Sequence, residues 1–164
     1  MLILLWAAVS GCGYQLSGQA GSVPDNLRQL AIPMFVNATP VPGLERLFTA
    51  AVRERFQRDG RVRLGSDVGL GTRLQGEITR YELTQILATT RDDRALEYRI
   101  QTELHITVVD RRQGQIVLQQ PLIVTTEYVV SERIVPTDIA RDRALQTAAQ
   151  DAGERVVSLL LDRF

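Results

Sequence analysis

The order of apolar and polar residues divides the chain into helices and strands. At residues 44–59, apolar side chains recur at helical spacing up to Gly60, which predicts an amphipathic helix of about four turns. From residue 98 to 108, apolar and polar residues alternate, as in a strand with one buried face and one solvent-exposed (wet) face. A second long apolar stripe starts at Pro136 and predicts a closing helix.

The segments between these elements predict a sheet. Residues 27–35 suit a first strand with Pro33 near its end and so at a sheet edge, because proline lacks the N–H that a central strand needs. A short strand follows at 61–64 and a longer one at 72–86. The tight turn at 111–114 joins the strand at 98–108 to a strand at 116–130, so these two form a hairpin. The predicted fold class is α+β: a two-layer α/β sandwich with a mixed, mostly antiparallel sheet of about four strands and two helices on one face.

The N-terminus carries the strongest local signal. Residues 1–9 are all apolar, which is shorter than the roughly 20 residues that span a bilayer and is typical of a signal peptide, although no Lys or Arg precedes them. The next residues complete the sequence Val9-Ser10-Gly11-Cys12, which resembles the bacterial lipobox. We therefore predict a lipoprotein signal peptide at 1–11, and covalent diacylglycerol and N-acyl lipid on Cys12.

Such a lipid would anchor the mature chain, because two or more acyl chains hold a protein stably at a membrane. Gly13 stands where an acidic residue keeps some bacterial lipoproteins at the inner membrane, so the expected location is the outer membrane. Residues 12–26 are rich in Gly, Ser and Gln and are predicted to form a lipidated tether. Residues 27–164 are predicted to form a single periplasmic α/β domain.

Composition narrows the function. Nineteen arginines balance nineteen acidic residues, so no net charge attracts nucleic acid and no nucleic-acid partner is expected. With one histidine and one cysteine, the chain lacks the ligands of a zinc site and the activated nucleophile of a hydrolase, so neither a metal site nor a catalytic residue is predicted. His105, on the polar face of its strand, is expected to be a surface residue. We predict a binding protein and not an enzyme, with no cofactor beyond the lipid.

A polar segment at 87–97 interrupts the two long strands. Arg91 and Arg94 in this segment are candidates for anion binding, because guanidinium groups donate paired hydrogen bonds to phosphate. Asp92 and Asp93 would suit acid–base chemistry only if their carboxyl groups had different environments. Beside two arginines, they are better explained as a solvated charge cluster.

Short motifs along the chain resemble one known family. They are Gly11-Cys12-Gly13-Tyr14, Leu30-Ala31-Ile32-Pro33, Phe35 with Asn37, Pro42-Gly43-Leu44-Glu45, Leu74-Gln75-Gly76-Glu77-Ile78 and Glu97-Tyr98-Arg99. In this order they are similar to the lipopolysaccharide-assembly lipoprotein family LptE. The resemblance implies an α/β sandwich that plugs the lumen of an outer-membrane β-barrel, the lipopolysaccharide translocon, assists its assembly and contacts lipopolysaccharide. A polar, mixed-charge exterior would suit such a lumen.

A second class of function is compatible with the same sequence: a periplasmic lipoprotein that regulates a cell-wall synthase or assembles a secretion complex. Such proteins share the anchor, the tether and the lack of catalytic residues, so the fold does not separate them. The predicted tether of roughly a dozen residues holds the domain within a few nanometres of the membrane. That short reach favours the barrel partner.

Overall fold

The computed structural model describes residues 23–25, 27–66, 71–87, 95–131 and 137–162. Its elements in chain order are β1 (Gln29–Ala31), β2 (Val36–Asn37), α1 (Leu44–Asp59), β3 (Arg63–Leu64), β4 (Thr72–Leu87), β5 (Ala95–Asp110), β6 (Gln115–Ser131) and α2 (Thr137–Leu161). The predicted signal peptide and most of the predicted tether lie outside the described residues.

In the described part of the chain, six strands form one mixed sheet in the order β3-β1-β4-β5-β6, with β2 also paired to β4. The three long strands, β4 to β6, are antiparallel, and the short strands pair in parallel. The α+β class, the mixed sheet and the two helices confirm the prediction. The sheet has six strands where about four were expected. A strand as short as β2, with two residues, leaves no alternation in the sequence that would reveal it.

The predicted first strand at 27–35 is broken in the structure. β1 ends at Ala31 and β2 begins at Val36. Both pair with β4, so the break divides what would otherwise be one continuous strand beside β4. Pro33 lies in the break, where its missing N–H removes no hydrogen bond from the sheet. The predicted edge position is wrong, because β1 lies between β3 and β4.

Helix α1 supplies the polar partners that the break needs. The Arg53 guanidinium donates two hydrogen bonds to the Ile32 carbonyl oxygen, from Nε at 2.8 Å and from Nη2 at 2.5 Å. The backbone N–H of Phe35 donates to Thr49 Oγ1 at 2.9 Å. A buried backbone group left without a partner costs about 1–3 kcal/mol. These two side chains of α1 therefore allow the chain to leave the sheet between β1 and β2.

Asn37 organises the start of α1. Its Nδ2 donates to the Val41 carbonyl oxygen at 2.7 Å and to Glu45 Oε2 at 3.0 Å. Hydrogen bonds from its own backbone N–H and from the Asn37 side chain lower the pKa of Glu45, which favours the charged carboxylate at a helix N-terminus. The predicted helix end is confirmed, because Gly60 terminates α1 with a φ of 76°.

Both helices cover one face of the sheet and share a single core with it. Fully buried side chains come from both helices and from the long strands: Phe48, Val52, Phe56, Leu74, Ile78, Ile100, Leu104, Ile106, Ala148, Ala149 and Ala152. The small residues of α2 allow a close approach to α1. A Cβ atom at Gly153 would lie 3.0 Å from the Ala51 carbonyl oxygen. Neither of these two described helices is long and apolar enough to cross a membrane.

A bulge in β4 changes which of its residues face the helices. The pairing with β5 shifts between Ile78 and Arg80. Before the shift, the buried residues of β4 lie at even positions; after it, Tyr81 lies opposite the buried Thr102 on the helix side. Arg80 lies on the other side, away from the helices.

Arg61 joins the C-terminal ends of the two helices. Its Nε and Nη2 donate to Asp59 Oδ1 and Oδ2 at 2.8 and 3.0 Å, and Nη2 also lies 3.4 Å from Asp162 Oδ1. The hydrogen bond from Arg61 lowers the pKa of Asp59. The pKa of Asp162 is also lowered, chiefly by the hydrogen bond from the Ser158 hydroxyl. The link therefore depends on charged carboxylates.

We expect Arg61→Ala to reduce the free energy of unfolding by about 1 kcal/mol at neutral pH. Because the folded-state pKa of Asp59 lies below its ordinary value of 3.8, the contribution is present above that value and is lost as the pH falls through the lowered pKa. Urea unfolding of wild type and variant, from neutral pH into acid, should show the difference shrinking. The control is Arg28→Ala, whose partner Asp25 has a side chain 88% exposed, so little change is expected at any pH. A wild-type advantage that persists in strong acid would contradict the prediction.

Candidate functional site: the open face of the sheet

One face of the sheet is covered by neither helix. We call this the open face. It is formed by the β4–β6 side chains that point away from the helices, among them Gln75, Glu77, Arg80, Arg99, Gln101, Glu103, His105, Thr107, Pro121, Ile123, Thr125, Glu127 and Val129. On β5 these residues alternate with buried residues of the core, which are the apolar Ile100, Leu104, Ile106 and Val108 and the polar Thr102. The wet face predicted for this strand is confirmed.

Charges on the open face are paired across strands. Arg99 lies directly opposite Glu127, and its Nη2 is 2.7 Å from Glu127 Oε1. Arg80 lies opposite Glu103, with Nη1 3.7 Å from Glu103 Oε1. Exposed pairs of this kind contribute up to about 1 kcal/mol each. Their main effect is a surface on which both signs of charge are interspersed.

Strand β6 adds aliphatic side chains to the margin of the open face. Ile123 is 48% exposed and Val129 is 56% exposed. His105 lies opposite Pro121 and faces solvent, as predicted for a surface residue. The open face therefore has a polar centre on β5 and a partly apolar margin on β6.

Tyr81, Tyr98 and Tyr128 lie on the helix side of β4, β5 and β6, toward the C-terminal ends of β4 and β6 and the N-terminal end of β5. The rings of Tyr98 and Tyr128 stack, with centroids 5.3 Å apart and an interplanar angle of 16°. Burial raises the pKa of both Tyr81 and Tyr128. These tyrosines therefore extend the core toward the C-terminal end of β4 and the N-terminal end of β5.

The residues predicted to carry function are not brought together by the structure. Cys12, Arg91 and Arg94 lie outside the described residues, as do Asp92 and Asp93. Across the described ranges, no group of three or more His, Cys, Asp or Glu side chains could hold a metal ion. Among the described residues, the candidate site is the open face, whose paired charges and exposed aliphatic side chains suit contact with a partner.

Four of the motifs found in the sequence, those between Leu30 and Glu45 and that at Leu74–Ile78, lie close to one another where the chain leaves β1 for α1. Phe35 lies over Gly76 of β4, and Asn37 bonds to Glu45 at the start of α1. These contacts hold β2, β4 and the start of α1 together. Sequence reasoning missed Arg53, which completes this region through the Ile32 carbonyl, because no pattern links side chains so far apart in the chain.

The amino-acid sequence matches the model of a known protein family. The family model LptE, described as lipopolysaccharide-assembly, matches residues 27–163 of this chain. No curated protein sequence is similar enough to count as a relative. The match covers the whole region from the segment before β1 to the end of α2.

Solved structures share the fold. Protein XCC0632 of Xanthomonas campestris has a TM-score of 0.57 and 14% identity, with 82% of this chain and 85% of that chain covered. Protein CT253 of Chlamydia trachomatis has a TM-score of 0.54 and 10% identity, with 82% and 98% covered. The minor lipoprotein of Acinetobacter baumannii has a TM-score of 0.51 and 14% identity, with 84% and 95% covered. At such low identity, the likeness concerns the fold alone.

The family agrees with what the residues allow. LptE proteins are non-enzymatic components of lipopolysaccharide assembly, partner the lipopolysaccharide transport machinery and use no cofactor. The paired charges and exposed aliphatic side chains of the open face are compatible with that role. The chain belongs to the LptE family of lipopolysaccharide-assembly lipoproteins.

Proposed function

We propose that the chain is held at the periplasmic side of the outer membrane by lipid on Cys12, complexes with the β-barrel lipopolysaccharide translocon, and assists lipopolysaccharide assembly there. The observation that carries this proposal is the family match over residues 27–163. In this proposal, residues 1–11 are a signal peptide, residues 12–26 a lipidated tether and residues 27–164 the periplasmic domain.

The short distance between Cys12 and the domain supports a partner at the membrane. Val23 falls within the predicted tether, yet it is 8% exposed and packs in the core. Residues 12–22 are then all that separates the lipid from the packed domain. Fully extended, they span at most roughly 40 Å. The domain is thus held beside the membrane, where an outer-membrane barrel would be within reach.

The open face supports a barrel as the partner. The lumen of a large outer-membrane barrel is polar, whereas its outside faces lipid. The paired charges of Arg99 with Glu127 and of Arg80 with Glu103 give the open face the mixed polarity that a lumen would accept. The apolar sides of the helices are already used in the core.

Arg91 and Arg94 are the proposed contacts for lipopolysaccharide. They stand in sequence between β4 and β5. Each guanidinium group can donate two parallel hydrogen bonds to one phosphate, which a lysine cannot do. We propose that they bind the phosphate groups of the lipid.

The proposal predicts a stable complex with a barrel. Full-length tagged protein would be extracted from native membranes in mild detergent, and co-purifying proteins quantified by mass spectrometry. We expect a near-equimolar outer-membrane barrel with the wild type, and less barrel with Arg99→Glu, which places two carboxylates opposite each other on the open face. Replacing Arg91 and Arg94 by alanine should keep the barrel and reduce the lipopolysaccharide that is recovered.

Two controls make the result specific. Arg143→Glu makes the same charge change on the exposed side of α2 and should retain the barrel. Cys12→Ala tests the anchor, and less protein in the membrane fraction is expected. Recovery of a cell-wall synthase or a secretion component without any barrel would overturn the proposal.

A further inference from the structure

Among the strands that the structure describes, β6 forms one edge of the sheet, and it is 17 residues long. An edge strand directs alternate N–H and C=O groups away from the sheet, so it can pair with a strand of another molecule. The Ile123 carbonyl is bonded from α2 and therefore faces this free edge. Residues two apart in a strand point the same way, so the backbone groups of Thr125, Glu127 and Val129 face the edge as well.

The free edge of β6 is complementary to itself. Two copies arranged antiparallel about a two-fold axis at Thr126 would place Ile123 of each copy opposite Val129 of the other. Both side chains are about half exposed. In this register, Glu127 lies opposite Thr125 and not opposite a second glutamate, so no like charges meet. Residues 123–129 of β6 are therefore able to pair with the same residues of a second copy.

Arg155 on α2 occupies the place that such a strand would need. Its Nη1 donates to the Ile123 carbonyl oxygen at 3.2 Å. Asp151, one helical turn earlier, holds the guanidinium through Nε and Nη2, at 2.9 Å each. We call these contacts of Arg155 with Asp151 and with the Ile123 carbonyl the Arg155 bridge, which connects α2 to the edge of β6. An added strand would have to displace Arg155 to reach the same carbonyl.

Pro121 adds a second barrier on the same edge. It lies two residues before Ile123, so its backbone nitrogen also faces the free edge, and proline has no N–H to donate. A groove of about 420 Å³ runs beside it between β6 and α2, and Arg155 lines that groove. At Pro121 and Ile123 the edge of β6 thus has a missing donor and an acceptor that Arg155 already occupies.

We propose that the Arg155 bridge and Pro121 keep two copies of this chain from joining their sheets through β6. The strand that is kept from the edge of β6 is β6 of a second copy, in the register that pairs Ile123 with Val129. The proposal is independent of the barrel partner, because it concerns the protein alone.

The test compares the oligomeric state of purified full-length protein in detergent by size-exclusion chromatography with light scattering. Arg155→Ala with Pro121→Thr should dimerise with a dissociation constant lowered at least about tenfold relative to wild type. Asp151→Asn keeps Arg155 but removes the negative charge and one of the two acceptor oxygens that hold its guanidinium, and it should give a smaller shift. Arg143→Ala removes a different exposed arginine of α2 and should behave as the wild type.

A cysteine introduced by Thr126→Cys reports the register. On the two-fold axis the two Cα atoms at this position would be about 4.5 Å apart, within reach of a disulfide. We expect a cross-linked dimer with Thr126→Cys in the double variant and little in the otherwise wild-type chain. A folded double variant, judged by circular dichroism, that stays as monomeric as the wild type overturns the proposal. So does a dimer that the introduced cysteine fails to cross-link, or equal cross-linking in the wild-type background.

Discussion

Gly76→Val should destabilise the protein by about 3 kcal/mol, although valine favours strands and glycine does not. A Cβ atom at position 76 would lie 2.6 Å from Cδ2 and Cε2 of Phe35. That ring is 3% exposed and cannot move aside without leaving the core. Strand propensity alone would predict a gain in stability, so the sign of the change separates packing from propensity.

The expected loss for Gly76→Val corresponds to a Tm lower by about 10 °C, and urea unfolding measures the free energy directly. The control is Gly65→Ala, because a Cβ atom at Gly65 meets no atom within 4 Å and a change within about 0.5 kcal/mol is expected. A Phe35→Ala background removes the ring, and Gly76→Val should then cost much less. An equal cost in both backgrounds would show that Phe35 is not the obstacle.

The long elements of the fold follow from the spacing of apolar residues. The stripe that ends at Gly60 predicts α1, the stripe after Pro136 predicts α2, and alternation predicts β5 with its wet face. Each of these signals is local, because a helix or a long strand repeats its pattern over many residues. That is why their bounds agree with the structure within a few residues.

The break between β1 and β2 could not be predicted in the same way. It exists because Arg53 bonds to the Ile32 carbonyl and Thr49 bonds to the Phe35 N–H, and these partners are 21 and 14 residues away. The bulge near Ile78 likewise depends on pairing with β5. Hydrogen bonds between distant residues leave no periodic trace in the sequence.

For the candidate site too, the local pattern could be predicted from the sequence and the contacts between distant residues could not. Alternation along β5 predicts that one face is polar, but the pair of Arg99 with Glu127 on that face, like the pair of Tyr98 with Tyr128 on the helix side, requires the register of the hairpin. Their partners are separated by some 30 residues of chain. A one-residue slip would turn each partner to the opposite face. The sequence therefore predicts the polarity of the open face and not the arrangement of its charges.

Gly153→Leu should also destabilise the protein by about 3 kcal/mol, because it separates the two helices. A Cβ atom there would lie 3.0 Å from the Ala51 carbonyl oxygen and 3.3 Å from Arg55 Cβ. Both contacts belong to α1, and the first is backbone that cannot rotate away. Helix propensity points the other way, since leucine is favoured over glycine by about 1 kcal/mol in a helix interior.

The matched control for Gly153→Leu is Glu154→Leu, which introduces the same side chain at the next position, on the exposed side of α2. There the change in unfolding free energy should stay within about 0.5 kcal/mol. Urea unfolding of both variants measures the difference. A stable Gly153→Leu protein would mean that α2 can shift along or away from α1 at little cost. In that case the small residues Ala148, Ala149 and Ala152 would not be what fixes the helix pair on the sheet.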